Sequence, residues 1–323
     1  MILSKAPLRI SLFGSDSPKL YANNGYCQIL SFAINQFVYT AINETPNPYI
    51  RISYSQFEQV ENLNDIKHDI VREALKYYRF GNAQSGNGLE ISSFASMKSD
   101  GSGLGSSSTF TIALLKGLME LPRYKRLYDY NNEQLAEAAF WMETEYCKSP
   151  IGKQDQYAAA FGGSNIFTWY ANGCFTREPI DLSGLLPNLM LFKVGEQRSA
   201  NEILIDQNAN SNDDTLIEIR RLVRLAQTHI LNKDYDAVGQ LLNYNWELKK
   251  SLSSKISNSM IDDIYEKAMN VGALGGKLCG AGGSGFLLFY VPVEKQPFMI
   301  KYLGMEPTKF DISHTGAEIV YRS

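Results

Sequence analysis

The 323-residue chain is predicted to fold as an α+β protein, on three observations. Strand-like, helical and strand-like stretches follow one another in blocks, not in the strict alternation of a βαβ barrel. Hydrophobic residues make up 44% and charged residues 20%, ordinary globular values that allow a sizeable core. No fixed-period repeat or low-complexity tract interrupts the pattern.

The elements follow in chain order. In 6–14, Leu8, Ile10 and Leu12 alternate with Arg9 and Ser11, which reads as a half-buried strand. CQILSFAINQFVYTAI, 27–42, is rich in β-branched and aromatic residues and reads as one or two strands. A short strand is expected at 50–54 and an amphipathic helix over 65–79, starting near Asp65. A strand at 87–95 precedes a Gly/Ser loop at 101–108 and a buried helix over 109–119. A helix over 131–147 has Asn131 or Asn132 at its N-cap. Strands are expected within 164–182 and at 188–194, two or three helices within 212–252, another helix over 260–271, and a strong strand at 285–291. A domain boundary falls near 183–188, dividing the chain into 1–185 and 186–323.

Composition excludes several classes. The net charge of -3 lacks the basic excess of a nucleic-acid binder. Cys27, Cys147, Cys174 and Cys279 form no CxxC pair and are expected as reduced thiols, and His68, His229 and His314 lack metal-ligand spacing. No apolar leader opens the chain and no membrane-length apolar run occurs, so a soluble cytoplasmic protein without membrane partners is expected.

The strongest chemical signal is DGSGLGSSST, 100–109. Alternating glycines let successive backbone N–H groups converge on an anion, and the helix that follows adds unpaired N–H donors and its positive dipole end. Ser106, Ser107 and Ser108 can cap that helix or offer a hydroxyl to Mg²⁺. A Walker loop is absent, because Gly276-Lys277 is followed by Leu278, and no HRD or DFG tripeptide occurs. GAGGSG at 280–285 matches GxGxxG but precedes a strand where a dinucleotide site needs a helix, so it reads as a loop closing over a ligand.

Four segments in order, KAPLRISLFGSD (5–16), GSGLGSSS (101–108), PIGKQDQYAAAFGG (150–163) and KLCGAGGSGF (277–286), resemble the GHMP kinases. The last two, with NWELKKSLSSKISN (245–258), are similar to the heptose 7-phosphate kinase branch. The chain departs from that branch at Phe13-Gly14-Ser15-Asp16, two residues short of its glycine-rich pattern, and at Gly25-Tyr26-Cys27. The resemblance implies the two-domain GHMP kinase fold: a ribosomal-protein-like N-terminal α/β domain and a ferredoxin-like C-terminal domain. ATP is then the phosphoryl donor, Mg²⁺ the cofactor and the anomeric hydroxyl of heptose 7-phosphate the acceptor. A homodimer is left open.

The resemblance carries site roles to particular residues. Asp155 matches the family's aspartate and is the expected base or hydroxyl-orienting group, although an aspartate there also suits an N-cap. Arg9 is the expected cation on the transferring phosphoryl or beside Asp155, with Lys5 as a weaker second. Gly101, Gly103, Leu104, Gly105, Ser106, Ser107 and Ser108 are expected on the ATP phosphates. Glu143, twelve positions before Asp155, with Ser106 or Ser107 is the expected Mg²⁺ set, Glu145 being the rival. Asp16, Gly280, Ala281 and Gly282 are expected on the sugar, and Arg198 and Lys277 on a phosphate already attached to it. Rival readings are another sugar 1-kinase, of fucose, galactose or an unphosphorylated heptose, and a catalytically silent sugar/ATP sensor. A sensor would lack the base or the metal ligand, and Asp155, Glu143 and Ser106 are all present.

Overall fold

The computed structural model describes residues 1–17, 20, 25–81, 83, 87–97, 101–124, 128–195, 202–206 and 213–323. Strand β1 (Ile2–Ser15) pairs antiparallel with the 20-residue β2 (Tyr26–Thr45), a single strand where the sequence left one or two open. Its length lets β2 serve two neighbours on one edge: Val38–Thr45 pairs with β5 (Gly88–Ala95), and Tyr26–Phe32 with β6 (Ser164–Tyr170). Strands β3 (Ile50–Ser53) and β4 (Phe57–Val60) extend the β5 side, and β7 (Phe175–Pro179) extends β6.

Helices α2 (Ser106–Met119) and α4 (Gln154–Phe161) pack on β1 and β2. Helix α1 (Asp69–Tyr77) contacts α2, and α3 (Asn132–Trp141) packs on both α2 and α4. Eleven of the fourteen α2 residues are buried, as a helix apolar all round must be.

Helices α5 (Asp213–Leu231) and α6 (Tyr235–Ser251) pack together; α5 also covers β1, and α6 lies on β9 (Gly275–Leu278). Strand β9 is one edge of a three-stranded antiparallel sheet, with β10 (Gly285–Tyr290) in the middle and β8 (Leu189–Val194) outside. Helices α7 (Ser259–Asn270) and α8 (Gln296–Leu303) follow on either side of it in sequence. The last strand, β11 (Glu318–Arg322), leaves that segment and pairs with β1 at the edge of the large sheet. Among the described residues no helix is long and apolar enough to cross a membrane, and all four cysteines are free thiols.

Several elements differ from expectation for local reasons. The 65–79 helix begins only at Asp69, because the Glu58 carboxylate accepts the Lys67 and His68 backbone N–H groups at 2.6 and 3.1 Å and holds them extended. The 109–119 helix starts at Ser106, directly after Gly105 in the left-handed region. Asn131 caps α3 in a reciprocal capping box with Gln134, but regular α-helix ends at Trp141 and a π turn, Met142–Tyr146, replaces its predicted last turns. Strand β1 is buried on both faces, not half-buried: Arg9 is only 3% exposed.

Candidate active site

A cavity of about 290 Å³ lies between the large sheet's helices and the smaller sheet. Arg9, Ser11 and Asp16 reach it from β1 and the residues just after it, Gly101, Gly103, Gly105, Ser106, Ser107 and Ser108 from the glycine loop and α2, and Glu143, Gly152, Gln154 and Asp155 from the π turn, α4 and the stretch between them. Asn245, Lys249, Leu252, Lys277, Gly280 and Ala281 close it from the C-terminal segment.

The β1–β2 register shifts between Pro7 and Arg9 and again between Ser11 and Phe13. Such irregularities re-aim side chains, and here the Arg9 backbone N–H bonds the Leu104 carbonyl at 3.1 Å, tying strand to glycine loop. The Arg9 guanidinium meets Asp155 Oδ1 with Nε at 2.8 Å and Nη2 at 2.7 Å, while Nη1 donates to the Gly103 carbonyl. Asp155 sits in the first turn of α4, whose N-cap is Lys153, so the aspartate does not cap the helix. Its Oδ2 turns toward Gly105.

Gly101, Gly103 and Gly105 all have positive φ, of 64°, 75° and 77°. At Gly103 a side chain is excluded twice over, since a Cβ would lie 2.2 Å from the Cys279 carbonyl oxygen. The 101–108 loop is thereby pressed against the 280–285 loop, at Gly280. Leu104 is buried and Gly282 packs on Ile256, and neither is among the residues lining the cavity.

The π turn buries Glu143 to 2% exposure, whereas Glu145 points to solvent. Glu143 accepts from Ser108 Oγ and Gln156 Nε2, each at 3.0 Å; burial pushes its carboxyl up to about 7. The serine bonded to Glu143 is Ser108, on the inward face of α2; Ser106 and Ser107, expected with Glu143 on Mg²⁺, line the same cavity. The Gln156 Oε1 beside it is buried with no hydrogen-bond partner among the described residues. A buried carboxylate, a neighbouring orphan oxygen and helix-start hydroxyls form a hard-oxygen donor set of the type Mg²⁺ takes, so the residues fit the ion.

Asp16 accepts the Gln154 backbone N–H at 3.1 Å beside Gly152. Burial, then the Asp155 charge, raise its carboxyl to about 6. Lys277, 4% exposed, donates to the Leu12 carbonyl at 3.0 Å. Lys5 lies elsewhere, paired with Glu318 at 2.8 Å where β1 meets β11. Arg198 lies outside the described residues. Sequence reasoning did not single out Gln156, Asn245 or Lys249. The available signal was the i, i+4 spacing of Asn245 and Lys249, which puts both on one face of α6.

A second cavity adjoins the first across Gly101, Ser106 and Ser107. Tyr54, His68, Phe94 and Phe110 line it, with the His68 ring 4.7 Å from Tyr54 and 5.1 Å from Phe110.

The GHMP kinases N terminal domain matches residues 69–163 and the GHMP kinases C terminal domain 225–296, together just over half of the chain. The chain is 28% identical over 325 residues to a D-glycero-alpha-D-manno-heptose 7-phosphate kinase of Campylobacter jejuni, covering 94% of each. It is 29% identical over 239 residues to a bifunctional fucokinase/GDP-fucose pyrophosphorylase of Arabidopsis thaliana, of which that stretch is 22%. The fold is similar to the crystal structure of a D-glycero-D-manno-heptose 1-phosphate kinase from Bacteriodes thetaiotaomicron, with a TM-score of 0.79, full coverage of both chains and 22% identity. The chain belongs to the GHMP kinases and has their two-domain fold. It is accordingly a phosphotransferase with an alcohol group as acceptor, in a family whose phosphoryl donor is ATP.

Proposed function

We propose that this kinase transfers the γ-phosphoryl of ATP to the anomeric hydroxyl of D-glycero-D-manno-heptose 7-phosphate, giving the 1,7-bisphosphate. One observation carries the reading. The Asp155 carboxylate, held by Arg9, touches the phosphate-type glycine loop inside the same cavity as Asp16. The heptose assignment is supported by the Campylobacter relative.

Phosphoryl transfer requires positioning and charge stabilisation. The amides of 101–105 and the start of α2 cradle the triphosphate, and the adenine lies in the aromatic slot of Tyr54, His68 and Phe110. Asp16 and the Gly280–Ala281 backbone hold sugar hydroxyls. The acceptor oxygen attacks the γ-phosphorus as the bond to the β-phosphate oxygen breaks, and its proton passes to Asp155 Oδ2. Arg9 pairs with Oδ1, leaving Oδ2 to the acceptor, and faces the transferring group. Glu143, with the serines that begin α2, would hold Mg²⁺, which when bound neutralises charge on the phosphates. Residues 1–185 and 186–323 form the two domains, with β11 returning to the first.

Coupled ADP release against a panel of heptose 7-phosphate, heptose, fucose and galactose tests the acceptor. Asp155→Asn should cut kcat by about 10³-fold while ATP affinity stays within a few-fold, as expected for a group acting in the transition state. An unchanged kcat removes Asp155 from the mechanism.

A further inference from the structure

We propose that Lys249, with Lys277 and Asn245 beside it, forms a subsite for a phosphate monoester carried by the acceptor, and that Lys249 makes the kinase selective for a phosphorylated sugar. The inference rests on the sugar-kinase reading above and deepens it.

Lys249 and Lys277 both line the cavity, and neither has a carboxylate partner among the described residues. Their ammonium groups bond only backbone carbonyls: Lys277 that of Leu12 at 3.0 Å, Lys249 those of Leu278 at 3.0 Å and Gly280 at 2.5 Å. An ammonium carries three donors, so each keeps capacity for a ligand. The third cation of the cavity, Arg9, is already matched by Asp155. A buried ammonium without a counter-ion is costly. The cost shows in both groups: burial pushes Lys249 down to about 8 and Lys277 to about 7, with the charge of Lys249 lowering Lys277 further.

A second polar group points to a ligand at the same wall. Asn245 lies one helical turn before Lys249 on α6, is 1% exposed and lines the cavity, and its Oδ1 has no hydrogen-bond partner among the described residues. Two positive charges suit a dianion, and the Asn245 Oδ1, an acceptor, suits a hydroxyl on the same ligand. In the reading above, the donor's phosphates are served from elsewhere, by the loop amides and the start of α2. The carboxyls of Asp16, Glu143 and Asp155 likewise come from the N-terminal segment, and the two lysines from the C-terminal one. An acceptor bearing only hydroxyls would leave both ammoniums uncompensated.

The test compares Lys249→Met and Lys249→Arg with the unaltered protein. Kinetics use heptose 7-phosphate, heptose and ATP, and thermal melting is followed with and without inorganic phosphate. Lys249→Met should lose about 100-fold in kcat/KM for heptose 7-phosphate, mainly through KM, as for truncating one side of a buried charge pair. Its kcat/KM for heptose and its KM for ATP should stay within a few-fold, and Lys249→Arg should recover much of the loss. Inorganic phosphate should raise the melting temperature of the unaltered protein and not of Lys249→Met.

Equal losses on both sugars, or a rise in KM for ATP instead, overturn the proposal; the second would assign the lysine to the donor's phosphates. If neither sugar is phosphorylated by the unaltered protein, the acceptor reading fails. The melting comparison still decides whether Lys249 holds phosphate. Should Lys249→Met not fold, Lys249→Gln, which can still donate to the two carbonyls, enters the same comparisons.

Discussion

The two walls of the cavity are built in opposite ways. The N-terminal wall carries Asp16, Glu143 and Asp155, each held by named donors: the Gln154 amide, Ser108 with Gln156, and Arg9. The C-terminal wall carries Lys249 and Lys277, whose hydrogen bonds go to main-chain carbonyls and tie α6 to β9 and Gly280, and β9 to β1. An anchored carboxylate has a fixed position in the free protein, as a catalytic or metal-binding group requires. A cation whose charge is unmatched at close range instead holds interaction free energy that only an incoming anion can realise. In the proposed reading, the acidic wall is organised for chemistry, and the basic wall for choosing what enters.

That contrast can be broken at either wall. The largest effect after Asp155→Asn is expected from Glu143→Gln, which keeps the shape but removes the charge and turns one of the two accepting oxygens into a donor. Its kcat should fall about 100-fold, as for losing one electrostatic stabiliser of the transferring group, with a raised Mg²⁺ requirement in an ADP-release assay. If the Mg²⁺ dependence is unaltered, Glu143 is not a metal ligand.

Gly103→Ala acts at the seam between the walls. Its Cβ would meet the Cys279 carbonyl at a positive φ, so a loss of about 2 kcal/mol in denaturant unfolding is expected, with weakened ATP binding. A fully stable variant would mean that the two glycine loops are not held in contact.

The pH dependence of stability separates the walls by sign. Lys249 and Lys277 have folded pKa values near 8 and 7, below the unfolded value of 10.5. From pH 10.5 down to 7 the unfolded chain takes up protons that the folded one does not, so their contribution to stability falls with falling pH. Asp16, raised to about 6 from 3.8, does the reverse: the folded state protonates first, and its contribution to stability grows as pH falls from 6 to 4. Around the lysines, Arg9 opposes protonation and the buried Cys279 thiol favours it only on ionising. Lys277→Met should flatten the alkaline slope in melting curves, whereas Asp16→Asn should flatten the acidic one. The smallest signal is proton uptake when phosphate binds at pH 8, read by calorimetry in buffers of different ionisation enthalpy. A phosphate monoester is already a dianion there, so the proton must come onto the lysines.

The acidic wall and the basic wall also differ in how far they could be read from the chain. Arg9, Glu143 and Asp155 stand in short segments whose neighbours carry the chemistry with them. Their convergence follows from a strand irregularity, a π turn and a helix start a few residues away. Glu143 could be preferred over Glu145 only by the resemblance, because a regular helix and a π turn present different side chains to the same neighbour. Lys249 sits on α6, where one lysine in a charged run looks like any other. Its meaning depends on β9 and the loop at Gly280, about 30 residues further on.

The sequence by itself determined the strands with β-branched and aromatic runs, the capped start of α3, the glycine loop leading into α2, and the GHMP kinase resemblance, since these depend on neighbours a few residues apart. Only the tertiary structure decided that β1 is buried on both faces, that glycine-rich β9 and exposed β11 are strands, and that Ser108 faces Glu143. Each of these is set by what a distant segment packs against it. Burial and pairing are properties of that contact, and the local chain carries no period or propensity that encodes them.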